Sequence, residues 1–165
     1  MITYAILSIG DKAFAGTRED KSGQLIQHML NDRNVQLVHY ETIPDENKLI
    51  QGALIKLTDE LKVRLILTTG GTGFSERDIT PEATKTVIEK EVPGFGEIMR
   101  VHGFKKTPMA ILSRGIAGIR GKSLIINLPG SSQGVRESLD IIMPVLEHGI
   151  GILKQNIDHE NFNKN

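Results

Sequence analysis

The stretch Thr68-Thr69-Gly70-Gly71-Thr72-Gly73, with a carboxylate following at Asp78 and a helix start at Thr80-Pro81, holds residue types suited to gripping phosphate. Glycines without a Cβ let backbone N–H groups approach an anion closely, and the next helix N-terminus adds positive partial charge. The threonine hydroxyls supply further donors. Asp78 offers oxygen to a divalent cation, although a turn residue is its second reading. The loop as a whole also reads as an ordinary glycine turn between strand and helix.

Two other loops share this character, Gly10 to Asp20 and Pro129-Gly130-Ser131-Ser132. Each lies after a strand-like run and before a helix-like one. Ligands of open α/β sheets sit outside the carboxyl ends of the strands, so the three loops are expected on one side of the molecule. Asp45, just after Pro44 at the end of another strand, would face the same way, and Asp45 and Asp78 could then lie across one cleft. Position alone favours a helix N-cap for Asp45. Ser113-Arg114 adds a hydroxyl and a positive charge.

Other chemistries fall away. The chain has no cysteine, which removes disulfides and thiolate sites. Its five histidines show no metal-ligand spacing. Gly121-Lys122-Ser123 resembles the end of a P-loop, but Ile116 stands where the first glycine belongs and a strand follows instead of a helix. Glu76 occupies the third glycine position of a dinucleotide fingerprint.

The elements that must position these residues alternate. Thr3 to Ile9, Val35 to Ile43 and Arg64 to Thr69 read as strands. Lys21 to Asn31 reads as a helix, as does the stripe Leu49, Ile50, Ala53, Leu54, Leu57 and Leu61. A helix capped by Thr80 is expected to run to Pro93-Gly94, with a further short one from Phe95 to His102. Met109 to Arg114 is ambiguous. Ile116 to Ile119 and Ser123 to Leu128 predict a β-hairpin, and Gln133 to Lys154 a last helix interrupted or kinked at Pro144. The fold class is therefore α/β, with a mostly parallel central sheet plus a β-hairpin.

Composition sets the frame. The 165 residues, 39% hydrophobic, suit a single α/β domain over residues 1–155, with a polar tail at 156–165. Twenty basic and twenty acidic residues balance to zero, which argues against a nucleic-acid partner. No apolar run is long enough to span a membrane, and the amino terminus lacks a signal-peptide pattern. A cytoplasmic location is expected.

Taken together, these residues resemble the molybdopterin adenylyltransferase family, including its bacterial forms and the equivalent domain of animal gephyrin. The match is carried by Ser8-Ile9-Gly10-Asp11, Asp20-Lys21-Ser22-Gly23, Ile43-Pro44-Asp45-Glu46 and Thr69 through Thr84. Pro93-Gly94-Phe95-Gly96-Glu97, Ile111-Leu112-Ser113-Arg114, Ala117 to Gly121 and Leu124 to Ser131 continue it. The resemblance reaches from the first strand to about Leu153. It implies a three-layer α/β sandwich, commonly a homotrimer, with ATP and molybdopterin as substrates and Mg2+ as cofactor.

On the same basis Asp45 and Asp78 match the family aspartates assigned to catalysis and metal handling. Gly70, Gly71, Thr72 and Gly73, with Thr69, match the loop near the nucleotide phosphates. Ser8, Asp11, Ser113, Arg114, Pro129, Gly130 and Ser131 fall in the other matching blocks and are candidate nucleotide or pterin contacts. The implied reaction moves AMP from ATP to the phosphate of molybdopterin and releases pyrophosphate, with possible hand-over to a molybdate-insertion protein. The alternative is a catalytically silent molybdopterin-binding protein of the MoaB-like branch. Two departures stand out. Gly10 replaces a frequent serine, and Ser131-Ser132-Gln133 replaces a frequent Ser-Pro-Lys.

Overall fold

The structure, a computed structural model, describes residues 1–31 and 33–154. The expected tail at 156–165 lies outside them. Six strands form one sheet: β1 (Ile2–Ile9), β2 (Val35–Ile43), β3 (Leu65–Thr69), β4 (Lys90–Glu91), β5 (Ala117–Arg120) and β6 (Ser123–Leu128). Their order is β2-β1-β3-β6-β5-β4. The first four in that order are parallel, and β5 runs antiparallel to both β6 and β4.

The helices are α1 (Asp11–Phe14), α2 (Lys21–Leu30), α3 (Asn47–Ile55), α4 (Thr80–Val87), α5 (Pro93–Phe104) and α6 (Ser132–Lys154). A π-helical turn, Lys56–Glu60, extends α3, and a 3-10 turn, Pro108–Leu112, follows α5. Side chains alternate across each strand, so the central strands build two cores. Tyr4, Ile6, Leu67 and Ile126 pack with Ile26 and Leu30 of α2 and with Val135, Leu139 and Ile142 of α6. Ala5, Leu7, Ile66 and Ile125 pack on the other face with Ile50 and Leu54 of α3 and with Ala83 and Val87 of α4. Helix, sheet and helix make the three layers expected.

Several local expectations are corrected. Thr80 is the first residue of α4 instead of its cap: Ile79 holds the cap position, and the Thr80 hydroxyl donates to the Gly70 carbonyl at 2.9 Å. That helix stops at Val87, because Ile88 turns extended and seats its side chain where any Cβ on Gly118 would clash. Glu89 and Val92 then donate backbone bonds to Ile119 and Ala117, which creates the unforeseen edge strand β4. Leu49 and Leu61 are exposed, so the α3 stripe is narrower than its periodicity suggests. Helix α6 runs through Pro144, with Ile142, Leu146 and Ile150 buried on either side of it.

The chain leaves β1 for β2 on one side, then returns past β1 to β3 on the other. That reversal opens a crevice between the carboxyl ends of β1 and β3. It is where the loops rich in glycine and aspartate meet.

Candidate active site

Each strand that ends at this crevice contributes a loop. After β1 come Gly10 and Asp11, after β2 Pro44 and Asp45, after β3 Gly70 and Gly71, and after β6 Pro129 to Ser131. A cleft of about 1040 Å3 opens between them. Its lining includes Ser8, Asp11, Asp45, Thr69, Gly70, Gly71, Asp78, Gly130 and Ser131 among the expected residues.

The floor is built on glycine for a steric reason. Gly70 has φ +96°, and a Cβ there would run into the Ile9 carbonyl oxygen. Gly71 has φ +66°, and its Cβ would meet the Thr80 hydroxyl and, at 3.1 Å, Asp45 Oδ1. Side chains rarely adopt such backbone conformations, and none would fit here. Gly130 approaches from the third loop, its Cβ direction pointing at the Gly70 Cα 3.3 Å away. The Thr69 hydroxyl donates to the Pro129 carbonyl at 2.6 Å and holds the β3 and β6 ends together. Ser22, opening α2, donates to the Gly130 carbonyl at 2.8 Å.

Asp45 is no helix cap. Glu46 takes that position, and Asp45 instead reaches the β1 end. The Asp11 N–H donates to Asp45 Oδ2 at 3.0 Å, and the Asp45 N–H donates to Asp11 Oδ1 at 3.1 Å. This reciprocal pair locks two strand ends and leaves Asp45 Oδ1 over Gly71. Burial pushes the Asp45 carboxyl above its ordinary range; the Asp11 and Asp78 charges push the same way, against the Asp11 N–H bond and Arg77. Asp11 is held below its ordinary range by the Arg77 guanidinium, which donates to both its oxygens at 2.8 and 2.9 Å. Asp78 Oδ2 accepts the Ser75 N–H at 2.9 Å, a turn bond that orients its carboxyl toward the same crevice.

Three carboxylates from three loops thus surround the glycine floor. Among the described residues no group of three or more His, Asp or Glu is arranged as a complete metal cage. Mg2+ keeps several waters and takes one or two carboxylates together with substrate phosphates. Asp45 and Asp78, which both line the cleft, could supply the one or two carboxylates of such a partial set.

The remaining expected residues sit elsewhere. Thr72 and Gly73 do not line the cleft, because their carbonyls face Arg114. Arg114, an expected ligand contact, has its guanidinium committed to the protein. It donates to the carbonyls of Gly73 at 2.7 Å and Asp78 at 2.6 Å and pairs with Glu82. Ser113 and Pro129 line a second cavity of about 350 Å3, which has the lining residue Ser131 in common with the first. Sequence reasoning missed Lys12, Arg18, Lys21 and Arg77, the basic residues of the cleft. Only the proximity of Lys12 and Arg77 to the two aspartates could have signalled them.

Comparison with known proteins identifies the family and the fold. Residues 5–148 match the family described as "Probable molybdopterin binding domain". The chain is 48% identical over 157 residues to the molybdopterin adenylyltransferase of Helicobacter pylori strain J99, covering 94% of this chain and 89% of that protein. It is 41% identical over 155 residues to the molybdopterin adenylyltransferase of Escherichia coli K12, covering 90% and 80%. The solved structure of the molybdopterin biosynthesis enzyme MoaB of Thermus thermophilus superposes with a TM-score of 0.89 at 46% identity, covering 93% and 96%. A crevice between strand ends, floored by glycine and ringed by aspartate, therefore lies on a shared fold, and the chain belongs to the molybdopterin-binding family that includes these adenylyltransferases.

Proposed function

We propose that this protein is a molybdopterin adenylyltransferase acting in the cytoplasm, moving AMP from ATP onto the terminal phosphate of molybdopterin with release of pyrophosphate. The observation that carries the reading is the meeting of Asp11, Asp45 and Asp78 over the Gly70–Gly71 floor, in a chain 41–48% identical to proteins of that name. Asp45 and Asp78 would hold Mg2+ beside the nucleotide phosphates, where it would neutralise charge on the transferred phosphoryl oxygens and on departing pyrophosphate.

The chain's own groups do the rest. The attacking phosphate is anionic at neutral pH, so no strong base is needed. The obstacle is repulsion between anions, which fixed donors and cations offset most effectively when already in position. The N–H groups of Gly70 and Gly71 and the start of α2 supply the donors. Lys12, Arg18 and Lys21 line the cleft as cations. Arg77, now on Asp11, lies close enough to join them.

A homotrimer and hand-over of the product to a molybdate-inserting protein belong to the same reading. The apolar surface of Ile98, Val101 and Phe104 on α5, with Met109 and Ile111 in the 3-10 turn, supports an assembly face. Mass spectrometry of molybdopterin after incubation with ATP and Mg2+ tests the activity. The expected product carries one added AMP. Bound but unmodified pterin would instead establish the silent binder.

A further inference from the structure

Asp20 brings the wrong charge to a cleft that must admit a triphosphate. Among the described residues lining it, Glu19 and Asp20 add to the three aspartates around the glycine floor, so carboxylates outnumber Lys12, Arg18, Lys21 and Arg77. Most of these carboxylates are accounted for. Arg77 engages Asp11, Asp45 and Asp78 would face Mg2+, and Glu19 is exposed, where water and salt screen it. Asp20 is half-buried. It directly precedes Lys21 and Ser22, at the point where Ser22 joins α2 to the Gly130 carbonyl.

Both Asp20 oxygens have partners. The Gly23 N–H donates to Oδ1 at 2.9 Å, the bond of a helix N-cap. The Tyr40 hydroxyl donates to Oδ2 at 2.5 Å, a short charge-assisted contact. Side chains alternate along β2. His39 and Glu41 pair with each other, while the Tyr40 ring packs against the core beneath α2. Tyr40 itself lies outside the cleft lining, so its bond draws Oδ2 away from the space of the ligand. Gly23 permits this approach. A Cβ there would strike both the phenol oxygen and the Asp20 carboxylate, which explains a glycine inside a helix that it otherwise weakens. Burial, with the Asp20 carboxylate adding to it, pushes the Tyr40 hydroxyl above its ordinary range and keeps it a donor.

We propose that Tyr40 is a positioning residue for the cleft, turning the Asp20 carboxylate toward β2 so that the basic residues meet the phosphates unopposed. The inference rests on ATP binding in this cleft and adds a residue outside it that governs its charge. A carboxylate accepts about four hydrogen bonds. Without the phenol, Oδ2 is released to pair with a cation of the cleft or to face phosphate oxygens directly. Either outcome subtracts positive charge from the ligand.

The test compares full-length wild type, Tyr40→Phe and the double variant Tyr40→Phe with Asp20→Asn. Each is titrated calorimetrically with Mg-ATP and with Mg-pyrophosphate. Phenylalanine keeps the ring, and asparagine keeps the cap on the Gly23 N–H without the charge. Tyr40→Phe is expected to bind both ligands about fivefold more weakly, the effect of one carboxylate about 4 Å from an anionic oxygen in water. Its turnover at saturating ATP should change by less than about twofold, so that the loss falls on KM. The double variant should regain wild-type affinity. Both variants lack the phenol bond and should melt below wild type, so a purely structural role would leave both binding weakly or neither. Wild-type affinity in Tyr40→Phe, or a double variant that binds no better than the single one, would overturn the proposal. A wild type that binds neither ligand overturns it together with the ATP reading. If the rescue is seen with pyrophosphate yet no AMP reaches molybdopterin, the positioning role stands and the transferase reading fails. If transfer proceeds and Tyr40→Phe binds normally, the reverse holds.

Discussion

The two halves of the Gly70–Asp78 loop do different work although they share one composition. Gly70 and Gly71 line the cleft and need positive φ, Gly70 against the Ile9 carbonyl and Gly71 under Asp45. Thr72 and Gly73 turn their carbonyls to Arg114, whose guanidinium also holds the Asp78 carbonyl and Glu82. One half presents backbone to a ligand and the other is bolted to the protein. A phosphate-binding loop must stay open where the anion sits while its backbone is fixed, because preorganised donors give up no energy to reordering at the moment of reaction. Arg114 supplies that fixation.

The largest expected effect breaks the first half chemically. Asp78→Asn keeps an acceptor for the Ser75 N–H while removing the charge. Turnover should fall by about 10²-fold or more, with the melting temperature little changed. Steady-state pyrophosphate release and thermal unfolding measured on one preparation decide the matter. Loss of folding with unchanged specific activity of the soluble fraction would assign Asp78 to the turn alone.

Arg114→Ala should show the opposite profile. Two carbonyls lose charged donors and Glu82 loses its partner, a loss of about 2–3 kcal/mol. For a domain of this size that lowers the melting temperature by roughly 5–10 °C. Turnover of the folded fraction, measured well below that temperature, should fall less than in Asp78→Asn. A variant that melts normally yet is inactive would return Arg114 to the ligand and dissolve the division between the two halves.

Much of this is legible in the sequence, for physical reasons that are local. The runs at Thr3–Ile9 and Arg64–Thr69 are continuous apolar or β-rich segments, as parallel strands covered on both faces must be, whereas Val35–Ile43 is a β-rich edge strand that stays half-exposed. Glycine placement marks the turns, and the rule that ligands sit at the carboxyl ends of strands brings Asp45 and Asp78 to one side. What stays hidden depends on partners distant in sequence. Arg77 finds Asp11 across 66 positions, and Arg114 finds Gly73 across 41. Nothing in Ser113-Arg114 alone says that the arginine turns inward. The helix-cap reading of Asp45 is sound from position and wrong in space, because the Asp11 N–H outcompetes the start of α3 for its oxygen. The edge strand β4 escapes because only two residues pair, directed by packing of Ile88 on Gly118.

The smallest expected effect concerns sign. Asp45 and Asp11 touch, yet their carboxyls are displaced in opposite directions. Burial, with Asp11 and Asp78 adding to it, raises Asp45, whereas the Arg77 bond and the Asp45 N–H lower Asp11. A raised carboxyl binds more protons folded than unfolded. Its contribution to stability is therefore full below the unfolded value and lost as pH rises through the folded value. A lowered carboxyl contributes above its unfolded value and loses that contribution as pH falls through the folded value. Asp45→Asn should accordingly be at least as stable as wild type at neutral pH, with the gap closing toward about pH 4 and below. Asp11→Asn should be less stable than wild type at neutral pH and converge with it on further acidification. Removing Arg77 by Arg77→Ala should shrink the Asp11→Asn effect, since the ion pair is its main source. Urea unfolding of these variants across acidic and neutral pH reads all three signs. An Asp45→Asn variant that is destabilised equally at every pH would mean that its bond to the Asp11 N–H, and not relief of a buried charge, dominates at that position. A carboxylate of the cleft would then also be a structural one, and the contrast between an open half and a bolted half would end at the β2 loop.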